Sequence, residues 1–139
     1  MKRSERDHFD RLLEQVVADL PQELKAMIDE VPVVVEDHPS PALLRELGID
    51  PEEDGLCGLH SGVPLTDRSV SQPSLPDVVT LFREGIVEEA GGWTPWIDDE
   101  GVAQGGQDAV VHEIRITLLH EVGHHFGLDE DDLSRLGYG

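Results

Sequence analysis

Apolar positions recur at helical spacing in three parts of the chain. Phe9, Leu12, Leu13, Val16, Val17 and Leu20 repeat at intervals of three and four, which predicts an amphipathic helix of about four turns. Ser4, with Asp7 three residues on, reads as its N-cap pair. Pro21 breaks this helix and opens a second one carrying Leu24, Met27 and Ile28. The third pattern is Val111, Ile114, Leu118, Val122 and Phe126, which predicts a long helix from about Gln107 to Phe126, stopped by Gly127. A short last helix follows over Asp129 to Leu136. Between these regions the pattern changes to β-branched runs. Val31 to Asp37 reads as a first strand, Gly55 to Leu65 as a second strand and turn, and Asp77 to Arg83 as a third. The glycines of the second strand suggest a bulge or a close backbone approach. Ser40 and Pro41 are a good N-cap and first-turn pair for a short helix, Ala42 to Leu47, ended by Gly48. Thr66 to Pro76 reads as a Ser/Pro-rich loop. Glu84 to Gln107 reads as a long connection, either mobile or functional.

These elements predict one α+β domain over residues 1–139: a small mixed sheet of about three to four strands packed on helices. Hydrophobic residues make up 38% and aromatics 4%, so Val, Leu and Ile must fill the core. No apolar run approaches the roughly eighteen residues that a membrane helix needs. The N-terminus is polar, so the expectation is a cytoplasmic protein that engages no membrane. Cys57 is the only cysteine. An intrachain disulfide is therefore excluded, in keeping with a reducing compartment, and a Cys-based structural zinc site is poorly supplied. The formal charge of −20 argues against nucleic acid as a partner and suits basic partners or substrates. A monomer is the favoured state.

The chemistry lies in the long helix. His120-Glu121-Val122-Gly123-His124 is an HExxH pattern. Residues four apart share a helix face, so both imidazoles can address one ion. Zinc accepts neutral imidazole at about 2.0–2.1 Å. Glu121, one helical step away, lies beside such an ion, where a carboxylate can serve as general base to a zinc-activated water.

A catalytic zinc usually has three protein ligands. Only fifteen residues follow His124, which leaves little room for a ligand on a further long helix. In the other known arrangement the chain turns back at a glycine and supplies the ligand six residues after the second histidine. Gly127 and Glu130 hold those places here, giving HExxHxxGxxE. Asp129 and then Asp131 are the alternatives, and the same acidic run also suits the start of a last helix. His125 points about a hundred degrees away from His124 and suits a supporting or surface contact. His112 falls outside the site. Thr117, His60 and Tyr138 are weaker candidates for supporting roles. Trp93 and Trp96 either line a substrate groove or plug the core under the long connection. His8 reads as exposed.

Leu119-His120-Glu121-Val122-Gly123-His124-His125-Phe126-Gly127-Leu128 is more specific than HExxH alone. With Val33-Val34-Val35-Glu36-Asp37, Leu59 to Arg68 and Asp77 to Arg83, it makes the chain resemble the small bacterial zincin-like metallopeptidases, over nearly its whole length. The resemblance implies a compact zincin-like fold with the motif helix beneath the sheet, and a zinc peptidase acting on a peptide or protein substrate. In the family pattern the place of Glu130 carries Asp or Ser, so the chain departs from it there. A peptide substrate is expected to pair with an exposed sheet edge, for which Val78 to Arg83 is the expected strand. The alternative is a catalytically silent zincin-like binding or regulatory module.

Overall fold

The computed structural model describes residues 1–50, 55–61 and 78–135. Helix α1 (Arg3–Ala18) buries Phe9, Leu12 and Val16. This is the stripe that the three-and-four spacing demands. Its N-cap is Lys2, with no side-chain cap, so Ser4 and Asp7 lie inside the helix and form no capping pair. Arg6, in the first turn, donates to the Asp37 carboxylate at 2.7 and 3.1 Å. Pro21 precedes α2 (Gln22–Asp29), and its carbonyl accepts the backbone N–H groups of Leu24 and Lys25. Helix α3 (Pro41–Glu46) follows its sequence signals closely. Ser40 Oγ accepts the Leu43 N–H at 3.1 Å, Pro41 opens the helix, and Gly48 takes a φ of 75° just past its end.

Three strands form a mixed sheet in the order β1 (Val33–Glu36), β3 (Val78–Phe82), β2 (Gly58–Ser61). Strand β3 runs parallel to β1, pairing Val33 with Val79 and Glu36 with Phe82. It runs antiparallel to β2, pairing Gly58 with Leu81 and Ser61 with Val78. The expectation that Val78 to Arg83 offers the free edge is therefore wrong. Val79, Leu81 and Phe82 are fully buried, and a continuous apolar run of this kind belongs in a strand covered on its faces.

The segment from 84 to 107, expected to be a long connection either mobile or functional, carries secondary structure. It holds α4 (Arg83–Ala90) and a hairpin of β4 (Trp96–Ile97) and β5 (Ala103–Gln104). Ile86, Val87 and Ala90 bury one side of α4, and Gly91 ends it in the left-handed region at φ 99°. Asp98 closes the hairpin by accepting the N–H groups of Glu100 and Val102, both at 2.9 Å.

Helix α5 (Gln107–His125) crosses against α1, α4, β2 and β3. Its buried row is Val110, Ile114, Leu118 and Val122, while Val111 and Phe126 are only half-buried. The row lies one residue from the one predicted at its start because α5 is covered from several sides. Helix α6 (Glu130–Arg135) follows. The core joins α1, α2, β3, α4 and α5. Arg83, itself buried, ties it together by donating to Asp10 at 2.9 and 3.1 Å and to Asp37 at 2.9 Å. No helix among the described residues is long and apolar enough to cross a membrane.

Candidate metal centre

Helix α5 carries two different surfaces. One is the apolar row above. The other rises from the helix near its C-terminal end, where His120 and Glu121 are half-buried and His124 is exposed. Four-residue spacing stacks the two imidazoles on one face. Their ring centroids are 4.4 Å apart, with planes inclined at 61°. Glu121 stands beside them, its Oε2 3.6 Å from His124 Nδ1. Its side chain is only 12% exposed, against 47% for His124. The carboxylate is thus held against the protein while one imidazole opens to solvent.

One ligand atom from each of His120, Glu121 and His124 lies within 4.8 Å of the others. Donors around a tetrahedral zinc stand about 3.4 Å apart, given bonds near 2.1 Å. Closing the two imidazoles onto one ion therefore takes side-chain adjustment alone, and their chemistry fits a borderline ion that takes imidazole, with the Glu121 carboxylate beside it.

The helix ends where the sequence places its stop. Phe126 is the C-cap, Gly127 follows at φ 72°, and the Leu128 N–H returns to the Gly123 carbonyl at 2.8 Å. The chain then turns into α6. Glu130 opens that helix, and its side chain lies outside the described residues, as do Tyr138 and the Thr66–Pro76 loop. Asp129 is exposed and occupied in capping α6: its Oδ1 accepts the Asp132 N–H at 2.8 Å. Asp131 is exposed, and His112, two turns before the motif, is exposed as well.

His125 is not a surface residue. It is 5% exposed and meets the His60 ring edge-on at 5.6 Å. His60 lies on β2, so the motif helix and this strand touch side chain to side chain. Thr117 is buried and faces the same strand at Gly58. Strand β2 therefore forms one wall of the site. The glycines of Gly55 to Leu65 pointed to a close backbone approach, and α5 is one of the elements that approaches.

The tryptophans stand apart from the motif. Trp93 packs on the core and stacks with His8 at 4.7 Å, lining a polar cavity of about 530 Å³ with Arg11 and Gln107. His8, expected to be exposed, instead lies on Trp93 and bonds Gln107 at 3.0 Å. Trp96 is half-exposed on the hairpin. An apolar cavity of about 490 Å³ opens beside α1, α2 and β1. Neither cavity is lined by His120, Glu121 or His124.

A small α+β domain with an HExxH helix packed along its sheet has the make-up of a zincin. The family model described as zincin-like metallopeptidase matches residues 28–139, and the chain belongs to that family. No curated protein matches the chain.

Proposed function

We propose that the protein is a zinc-dependent metallopeptidase that hydrolyses peptide bonds at the exposed end of α5. The observation that carries this reading is the meeting of His120 and His124 on one helix face with the Glu121 carboxylate beside them. His120 and His124 would hold the metal, with Glu130 as the third ligand. Bound there, zinc would act as a Lewis acid on the scissile carbonyl and bring the pKa of a water toward about 7. Glu121 accepts the proton of the attacking water and passes it to the leaving amine. Its low exposure keeps the carboxylate from wandering into bulk solvent. The exposed side of His124 leaves room for a macromolecular substrate to reach the site. Among the described residues, no strand pairs with the outer edge of β2. An extended peptide can add to that edge through main-chain hydrogen bonds, which places it along the motif helix. The charge of −20 favours basic peptides.

The test uses wild type and Glu121→Gln, purified with neither added metal nor chelator. Metal content is read by mass spectrometry, and hydrolysis on a mixed peptide library. The expected result is one zinc per chain in both proteins, with cleavage by wild type alone. Equal cleavage by both would remove Glu121 from the mechanism. Zinc in both with cleavage by neither would leave a metal-holding binding module.

A further inference from the structure

We infer that Gly58 is a positioning residue for Glu121, an inference that rests on the peptidase reading for its catalytic meaning. Gly58 lies in β2, opposite Leu81 of β3. Its φ is not in the left-handed region, so backbone freedom is not what the position uses. Lack of a side chain is. A Cβ at Gly58 would stand 2.9 Å from Thr117 Cγ2, 3.0 Å from Glu121 Cγ and 3.3 Å from the Thr80 carbonyl oxygen. The bare backbone of β2 thus leaves to the general base the space that a side chain would take.

The register extends this relationship. Alternate residues of a strand share a face, so Gly58 and His60 both look toward α5. Gly58 meets Thr117 and Glu121, and His60 meets His125. The inward face of β2 therefore follows the motif across more than a turn of helix. Glu121 has Thr117 one turn behind it and the Gly58 backbone beside its Cγ. These two walls limit the rotamers of a side chain that would otherwise sample several. Packing at Cγ restricts where the carboxylate can stand, and its Oε2 lies 3.6 Å from His124 Nδ1. An edge strand that receives substrate on its outer side thus also sets the base on its inner side.

The experiment compares wild type, Gly58→Ala, Thr117→Ser and the double variant by NMR of labelled, metal-free protein at one fixed pH. Side-chain couplings of Glu121 report its rotamer, and the methyl signals of Ile86, Ile114 and Val79 report the fold. Wild type is expected to show one dominant Glu121 rotamer. Gly58→Ala should keep the core signals and displace or average that rotamer. Thr117→Ser, which deletes Cγ2, should loosen it. The double variant relieves only the contact with Thr117 Cγ2 and leaves the new Cβ 3.0 Å from Glu121 Cγ, so the rotamer should stay displaced. In the zinc-loaded proteins, kcat on a peptide that wild type cleaves should fall about 10–100-fold in Gly58→Ala. KM and zinc stoichiometry should stay within about twofold, since neither ligand histidine is displaced. A folded Gly58→Ala with an unchanged Glu121 rotamer overturns the assignment. If Gly58→Ala does not fold, an unchanged rotamer in Thr117→Ser overturns it. A wild type that cleaves nothing defeats the peptidase reading and leaves the rotamer result standing.

Discussion

Asp129 and Asp132 cap each other. Asp129 Oδ1 accepts the Asp132 N–H at 2.8 Å, and Asp132 Oδ2 accepts the Asp129 N–H at 3.0 Å. This reciprocal pair starts α6 and occupies a carboxylate that competed for the third ligand position. On the proposed reading the two neighbouring acids have separate tasks, Asp129 as cap and Glu130 as ligand. Asp129→Ala should cost about 1 kcal/mol of stability through loss of a helix cap, with zinc stoichiometry unchanged. Glu130→Ala should do the reverse: little change in metal-free stability, and zinc binding weakened. Urea unfolding of the metal-free proteins, together with zinc titration, reads both outcomes. Zinc lost with Asp129→Ala alone would move the ligand to Asp129.

The two histidines predict a link between metal and stability. A metal that binds only the folded chain adds about 2.7 kcal/mol when its free concentration is 100 times Kd. Adding a chelator to wild type should therefore lower Tm by several degrees. In His120→Ala the same chelator should leave Tm unmoved, and the variant should purify without zinc. Thermal melts with and without chelator check this. Equal shifts in both proteins would place the stabilising metal elsewhere.

Asp37 makes the fold sensitive to acid. The Arg6 guanidinium, and then Arg83, hold its carboxyl below the ordinary value of 3.8. A carboxylate whose folded pKa is lowered contributes stability above its unfolded pKa, and that contribution fades as pH falls through the folded one. The contribution of Asp37 is thus whole above about pH 4 and lost in more acid solution. Asp37→Asn should cost about 1–3 kcal/mol at neutral pH, because buried Arg83 loses a charged acceptor. The cost should shrink as the pH is lowered below about 4. Urea midpoints across pH 2.5–7 show whether the two curves converge. Parallel curves would mean that the carboxylate has no such role.

Gly85 lies where α4 passes the segment leading into β2. A Cβ there would stand 2.1 Å from the Leu56 carbonyl oxygen and 2.8 Å from its carbonyl carbon. These are backbone atoms, which no rotamer change can move aside. Gly85→Ala should destabilise by at least about 3 kcal/mol, above the usual cost of overpacking. It should also disturb the Glu121 site through β2. Gly92→Ala is the control for a crowding effect, since nothing lies within 4 Å of its Cβ position, though its φ of 94° carries backbone strain. Chemical denaturation of both variants measures the difference.

What was legible in the sequence was local. The HExxH spacing fixes His120 and His124 on one face whatever surrounds the helix, and the structure brings them together with Glu121. Ser40, Pro41 and Gly48 act within a few residues of one another, and all three perform as their chemistry suggests. What was not legible depends on residues far apart. Arg83 read as the end of a strand, yet it begins α4 and is buried against Asp10, 73 positions away. His8 read as exposed because its stacking partner, Trp93, lies at the other end of a chain fold. The central place of β3 follows from strand pairing, which alternation along a single strand does not encode. Gly58 announced a close approach, but only the packed sheet shows that Glu121 is what comes near.

Glu113 makes the opposite case to Asp37. Burial, with the nearby charge of Glu89 adding to it, pushes its carboxyl above the ordinary value of 4.5. A raised folded pKa means that the group favours the fold while protonated. That benefit is present below the unfolded pKa and lost as pH rises through the folded one. At neutral pH, Glu113 is therefore a charge held in a poor place, on a chain already at −20. Glu113→Gln keeps the shape and removes the charge. It should raise stability at pH 7 by about 0.5 kcal/mol, the scale of a well-chosen surface substitution. Near pH 4 the gain should vanish, because the wild-type carboxyl is then largely protonated. Denaturant unfolding at the two pH values decides it. An equal gain at both would trace the effect to packing, and a loss at pH 7 would mean that the ionised Glu113 has a favourable partner.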